Sequence, residues 1–180
     1  DIRKFTVKDL KQLLTEEHIV LSAQANLETI MFLKRQIQRL EKAIIKKVKI
    51  NEAFRPLLTV PGIGNILAMT IMLEVGDIGR FPKVGNFASY CRCVDSKRTS
   101  NGKKKGEGNA KAGNKYLSWA FSEAAHFAVR FEPLAQRFYE RKKAKTNGII
   151  AIRAVARKLA RATWMMLKHQ VPYDARRMFP

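Results

Sequence analysis

The stretch IMFLKRQIQRLEKAI, Ile30–Ile44, decides how the rest of the chain is read. Its apolar residues Ile30, Leu33, Ile37, Leu40 and Ile44 recur at spacings of three and four. That period belongs to a helix with a narrow a/d seam, flanked here by Lys34, Arg35, Gln38, Arg39, Glu41 and Lys42. No Pro or Gly interrupts the chain from Ser22 to Ile50, so the spacing predicts one helix there, roughly 43 Å long at 1.5 Å per residue. A seam this narrow on so long a helix needs another helix against it. Packing within the chain would satisfy it, but its regularity favours a coiled-coil contact between two copies through residues 22–50.

Outward from this segment the chain reads as almost wholly helical. Residues 7–14 form a short amphipathic piece, with Thr6 and Asp9 at capping spacing. Asn51–Pro56 breaks the pattern and marks a boundary. Beyond it the sequence predicts an apolar helix from Asn65 to Val75, stopped by Gly76. A short helical run follows through Phe87 and Tyr90, then helices over 115–130, 134–145 and 149–168. The expected fold class is all-α: a long coiled-coil-like helix, a compact helical domain with a helix-hairpin-helix-like motif, and an exposed basic loop. The expected domains are a helical linker at 1–53 and the compact domain at 54–180.

Composition narrows the partners. The 180 residues carry 35 Lys and Arg against 15 Asp and Glu, a net charge of +20. Charge of one sign on this scale repels itself in a compact fold and calls for a polyanion. Residues 97–115 hold seven of the basic side chains and one acid, and residues 134–161 hold nine and one. No apolar run reaches the ~20 residues that span a bilayer, and the start at Asp1 has no signal-type apolar core. A nucleic-acid backbone therefore fits better than a membrane, and a cytoplasmic, nucleoid-associated location follows. Beginning without Met, the chain also reads as a piece of a longer protein. Cys91 and Cys93 are too close for an ordinary bridge and too few for a zinc site, so both read as small packed residues. His18, His126 and His169 have no ligand spacing, so no metal site and no cofactor is expected in this chain.

Two constellations can carry function. Val60-Pro61-Gly62-Ile63-Gly64, with Asn65 opening the next helix, resembles the turn of a helix-hairpin-helix motif. Pro fixes the chain direction and the glycines allow close approach of a large anion, so main-chain N–H groups can point at a phosphate. Such a contact positions a nucleic acid without reading its sequence. An ordinary tight turn between packed helices is the alternative. The second is Ser96 to Gly106. Here Lys97, Arg98, Lys103, Lys104 and Lys105 surround the hydroxyls of Thr99 and Ser100 and the Asn101-Gly102 turn; Lys111, Asn114 and Lys115 follow. Cationic side chains around a hydroxyl suit attack on a phosphodiester, because negative charge builds on phosphorus during that step. Composition alone does not separate Ser100 from Ser96 or Thr99, and a purely electrostatic binding loop satisfies it equally. Glu74 and Asp77 read as a solvent-facing pair at a helix end. Trp119, Phe121 and Phe127 read as core, and Asn114 as a helix cap.

The order of four segments is more specific than any one of them. LLTVPGIG at 57–64, EVGDIGRF at 74–81, SNGK at 100–103 and KAGNKYL at 111–117 together resemble the C-terminal domain of the IS110 group of insertion-sequence transposases, bridge-RNA-guided DNA recombinases, and especially its IS1111 branch. The resemblance spans about Phe54 to Lys168. It implies that full-length members join an N-terminal RuvC-like domain, with an acidic DEDD site for Mg, to this domain through a helical coiled-coil linker. It implies a serine that attacks DNA and forms a phosphoserine link, and a structured guide RNA that selects target and donor. Carried onto this chain, the nucleophile falls at Ser100, with Thr99 the rival hydroxyl. One departure is Cys91-Arg92-Cys93-Val94-Asp95, where many members carry a small-Gly-Leu-x-Pro segment. Nothing here resembles the RuvC-like half, so the chain alone is expected to bind nucleic acid and dimerise but not to recombine DNA. The competing expectation is a non-catalytic helix-hairpin-helix DNA-binding or repair module.

Overall fold

The computed structural model describes residues 5–94, 97–107 and 112–180; for 97–100 and 104–107 it describes the main chain alone. The chain divides into two compact units, Asp1–Val48 and Lys49–Pro180.

The first unit is two helices. In α1 (Val7–Leu13) the expected cap forms as a reciprocal box. The Thr6 amide donates to Asp9 Oδ2 at 2.6 Å, and the Asp9 amide donates to Thr6 Oγ1 at 3.4 Å. The Thr6 hydroxyl, donating to Asp9 Oδ2 at 2.7 Å, and then the Thr6 amide hold the Asp9 carboxyl below its ordinary value. The second helix, α2 (Glu17–Lys47), starts five residues before the expected Ser22 and ends three before Ile50. α1 packs on α2, and Leu27 is the buried residue of α2. The seam is largely open to solvent: Ile37 is 53% exposed and Leu40 63%, with Leu33 and Ile44 also exposed.

In the second unit the break after Ile50 is itself ordered. Asn51 caps a 3₁₀ helix at Glu52–Thr59, in which Pro56 is accommodated. Then come α3 (Asn65–Val75), a 3₁₀ turn at Ile78–Arg80, and α4 (Val84–Tyr90). After the basic segment follow α5 (Lys115–Phe131), α6 (Pro133–Lys143), α7 (Gly148–His169) and a short α8 (Ala175–Met178) that the sequence pattern did not announce. α7 packs against α4, α5 and α6. The core between them is filled by Leu57, Ile71, Val75, Phe87, Leu117, Phe121, Val155 and Leu159. Phe87 sits edge-on to Phe81 at 5.1 Å and to Phe121 at 6.1 Å. Ala120, Ala124 and Ala128 on α5 are fully buried, so one helix face presents no bulk and neighbouring backbone comes close. The Trp164 indole donates to the Phe81 carbonyl at 3.0 Å and ties α7 to the Ile78–Arg80 turn.

The fold class is all-α as expected, with one local exception. The basic segment is not an irregular loop: β1 (Lys97–Ser100) and β2 (Lys103–Glu107) pair antiparallel. The aromatic residues of α5 also divide differently from expectation. Phe121 is buried, but Trp119 is 48% exposed and Phe127 41%, because the alanine face and not the aromatic face turns inward.

Candidate nucleic-acid interface

The Pro61–Gly64 turn links the 3₁₀ helix to α3. The Ile63 amide donates to the Val60 carbonyl at 3.0 Å, and buried Ile63 anchors the turn. Gly62 has φ +97, and a Cβ there would stand 2.7 Å from both the Ala124 carbonyl oxygen and Phe127 Cβ. Its missing side chain is therefore explained by contact with α5. Gly64 differs: a Cβ would meet nothing within 4 Å. It occupies the N-cap of α3 with no side-chain cap, so the first-turn N–H groups at Asn65 and beyond have no side-chain acceptor.

The second constellation is a two-residue hairpin. Asn101 (φ 51) and Gly102 (φ 72) both take positive φ, as the type I′ turn that matches strand twist requires. Ser100 pairs with Lys103 as the last rung before the turn, and Thr99 pairs with Lys104. The register shifts between Arg98 and Thr99, because Arg98 pairs with Gly106 and Lys105 is the extra residue. Asn101, Gly102 and Lys103 are exposed. The side chains of Lys97, Arg98, Thr99, Ser100, Lys104 and Lys105, and all of Lys111, lie outside the described residues.

The two ends of this segment are fastened together. Arg92, itself at φ 54, donates from its guanidinium to the Gly113 carbonyl at 3.1 and 2.9 Å. The Asn114 amide donates to the Tyr90 carbonyl at 2.6 Å. Asn114 Oδ1 caps α5 by accepting from the Tyr116 and Leu117 amides at 2.9 Å. Its Nδ2 donates to Glu74 Oε2 at 2.6 Å. Asn114 is thus a post at the hairpin base, its polar atoms engaged inside the fold. Sequence reasoning missed Arg92 and misread Glu74, which reaches a residue 40 positions away; no local pattern announces such a pairing. Asp77, its supposed companion, instead caps the next turn through the Gly79 amide. Lys115 is exposed, its ammonium 5.0 Å from the Tyr116 ring centre.

The two constellations are not brought together. The hairpin base is tied to Glu74 near the C-terminal end of α3, while the Pro61–Gly64 turn abuts its N-terminal end, about 14 Å along the helix.

The two cysteines are poor nucleophiles. Burial pushes the Cys91 thiol far up, and it pushes Cys93 up to about 12 despite the nearby arginines 153 and 157. Both thiols stay protonated and unreactive. Among the described residues no three metal-ligating side chains converge, and no helix is long and apolar enough to cross a membrane.

The acids of the second unit are mostly engaged locally. Glu132 and Asp174 cap helices, Glu52 pairs with Arg55, and Glu140 pairs with Lys143. Among the described residues, then, the basic side chains have few counter-ions.

Residues 55–140, which contain both constellations, match the model of the transposase IS116/IS110/IS902 family. An insertion element IS110 protein of Streptomyces coelicolor, described as an uncharacterized 43.6 kDa protein, is 24% identical over 180 residues, covering 94% of this chain and 44% of its own length. A probable family 20 transposase of Pseudomonas aeruginosa is 27% identical over 153 residues, covering 78% of this chain and 43% of its own. The transposase for insertion sequence element IS1328 of Yersinia enterocolitica is 27% identical over 139 residues, covering 75% and 42%. The chain therefore spans less than half the length of these curated relatives.

Proposed function

We propose that this chain, which matches the model of the transposase IS116/IS110/IS902 family over residues 55–140, is the DNA-gripping, serine-bearing part of a transposase. The observation that carries the reading is the hairpin. It sets Ser100 on the last rung before a type I′ turn, with Lys103 directly across, on a segment whose base is fastened by Arg92 and Asn114. In the proposed step the Ser100 hydroxyl attacks a DNA phosphorus. An Oγ–P bond forms and one bridging P–O bond breaks. The hydroxyl proton leaves, and a proton is delivered to the departing sugar oxygen. The cations of the hairpin stabilise the charge gained by the phosphoryl oxygens. Any Mg the reaction uses would be held by the carboxylates of a RuvC-like domain.

The test is covalent capture. In a protein that also carries the RuvC-like half, Ser100→Ala abolishes protein–DNA adducts and Thr99→Val retains them. The reverse result moves the nucleophile to Thr99, and adducts surviving both substitutions remove it from the hairpin. A structured guide RNA is a second polyanion for the same basic surface, read out by competition against duplex DNA.

The exposed seam of α2 supports a homodimer of this chain, or a higher assembly, through 22–50. Ile37→Glu converts it to monomer in sedimentation; an unchanged mass removes the seam as the interface. The binding-module alternative draws on the uncapped N-terminus of α3. It predicts DNA binding that depends on Gly64 and Asn65 and no adduct under any condition.

A further inference from the structure

α7 carries three arginines, Arg153, Arg157 and Arg161, four residues apart and therefore in one row along the helix, about 6 Å from one to the next. All three are exposed, and among the described residues none has a carboxylate partner. The row has a definite place in the fold. α4 packs on α7 and leads directly into the hairpin. Arg153 and, more weakly, Arg157 act on the Cys93 thiol just before the hairpin begins. At the other end Arg161 lines a cleft of ≈ 630 Å³ together with Arg177, His169 and Tyr173. The carboxylate in that cleft, Asp174, is engaged in capping α8 through the Arg176 and Arg177 amides.

Like charges are crowded here among the described residues. The Lys158 ammonium donates to the Met178 carbonyl at 2.6 Å and is driven below its ordinary value, first by burial and then by Arg161 and Arg141. Such crowding opposes folding and is relieved when an anion arrives.

We propose that the Arg153–Arg157–Arg161 row of α7 is a second phosphodiester-binding surface, which takes up the backbone of a nucleic-acid strand running on from the basic hairpin toward the Arg161 cleft. This rests on the nucleic-acid reading above and adds a surface to it. The contact is to phosphate and carries no base preference.

The experiment is a salt titration of binding by the 180-residue chain, with a duplex DNA and a structured RNA of equal length as separate probes. Replacing the three arginines by Gln lowers the slope of log K against log salt by about 2–3 and weakens binding about tenfold or more, since each phosphate contact on duplex DNA contributes roughly 0.9 to the slope. The triple Lys replacement restores most of the slope, and single Arg157→Gln removes about one unit. The control of matched net charge, Lys8, Lys11 and Lys34 all to Gln, changes the slope much less. The probe that loses slope identifies the strand as DNA or RNA.

A Gln triple that binds as wild type overturns the row while leaving nucleic-acid binding intact. A loss no greater than that of the charge-matched control also overturns it. Failure of the wild-type chain to bind either probe overturns both this surface and the reading beneath it.

Discussion

The turn at Pro61–Gly64 and the turn at Asn101–Gly102 look alike in the sequence: glycine in a tight turn, in a cationic chain, where a backbone could meet phosphate. The structure uses them in opposite ways. Gly62 is glycine because α5 leaves no room, with the Ala124 carbonyl and Phe127 Cβ both 2.7 Å from where a side chain would begin. Gly102 is glycine because of its dihedral alone: φ is 72 and a Cβ would meet nothing within 4 Å. One is a packing device joined to the core, the other a conformational device on a projection. A glycine at a turn identifies a constraint but not its source, and only the neighbour across space tells the two apart.

Gly62→Ala puts the largest strain on this contrast. It combines a left-handed backbone with a collision against a helix, so about 3 kcal/mol of stability is lost. Melting of the second unit then falls by roughly 10 °C. A loss under about 1 kcal/mol, on the αL scale alone, would mean α5 yields and the two glycines are of one kind. Asn114→Ala comes next. It removes the cap of α5 and the hydrogen bond to Glu74, costing about 2 kcal/mol in denaturant titration, and it loosens the hairpin base. Gly102→Ala costs about 1 kcal/mol, confined to the hairpin. Amide exchange in β1 and β2 accelerates while the unfolding midpoint of the helical core stays put. Gly64→Ala is the mildest, about 0.5 kcal/mol for a poorer N-cap residue. Because its stability effect is small, a strong loss of DNA binding on Gly64→Ala would show that phosphate approaches this turn after all.

The helices were legible where one residue settles a local question. Thr6 and Asp9 announced their capping box, Gly76 stopped α3 where expected, and Asn114 capped α5. The hairpin was legible too, since an Asn-Gly pair is the strongest short-range signal for one. Its strands, however, hold Lys, Arg and Gly in place of alternating apolar residues, so no strand pattern accompanies the turn. The α5 face was misjudged for a related reason. Helical spacing of Trp119 and Phe127 indicated a stripe, but Ala120, Ala124 and Ala128 formed the competing stripe, and the core took the small one. The hairpin base was illegible in principle. The Arg92 contact to Gly113 and the Glu74 contact to Asn114 join residues 21 and 40 apart, and no periodicity encodes them. The Ser100 main chain was found at the turn, while its chemistry still stands on family resemblance.

The engagement of acidic side chains in helix caps has a consequence for handling this protein. With Glu132 and Asp174 already answering backbone N–H groups, the surplus cations repel one another across the second unit. Added salt screens that repulsion and therefore raises the melting temperature. In the proposed nucleic-acid binding, the same salt would compete with phosphates for the same side chains and weaken the complex. Ionic strength would thus drive folding and the proposed binding in opposite directions, so salt that preserves the chain in storage would also release a bound polyanion.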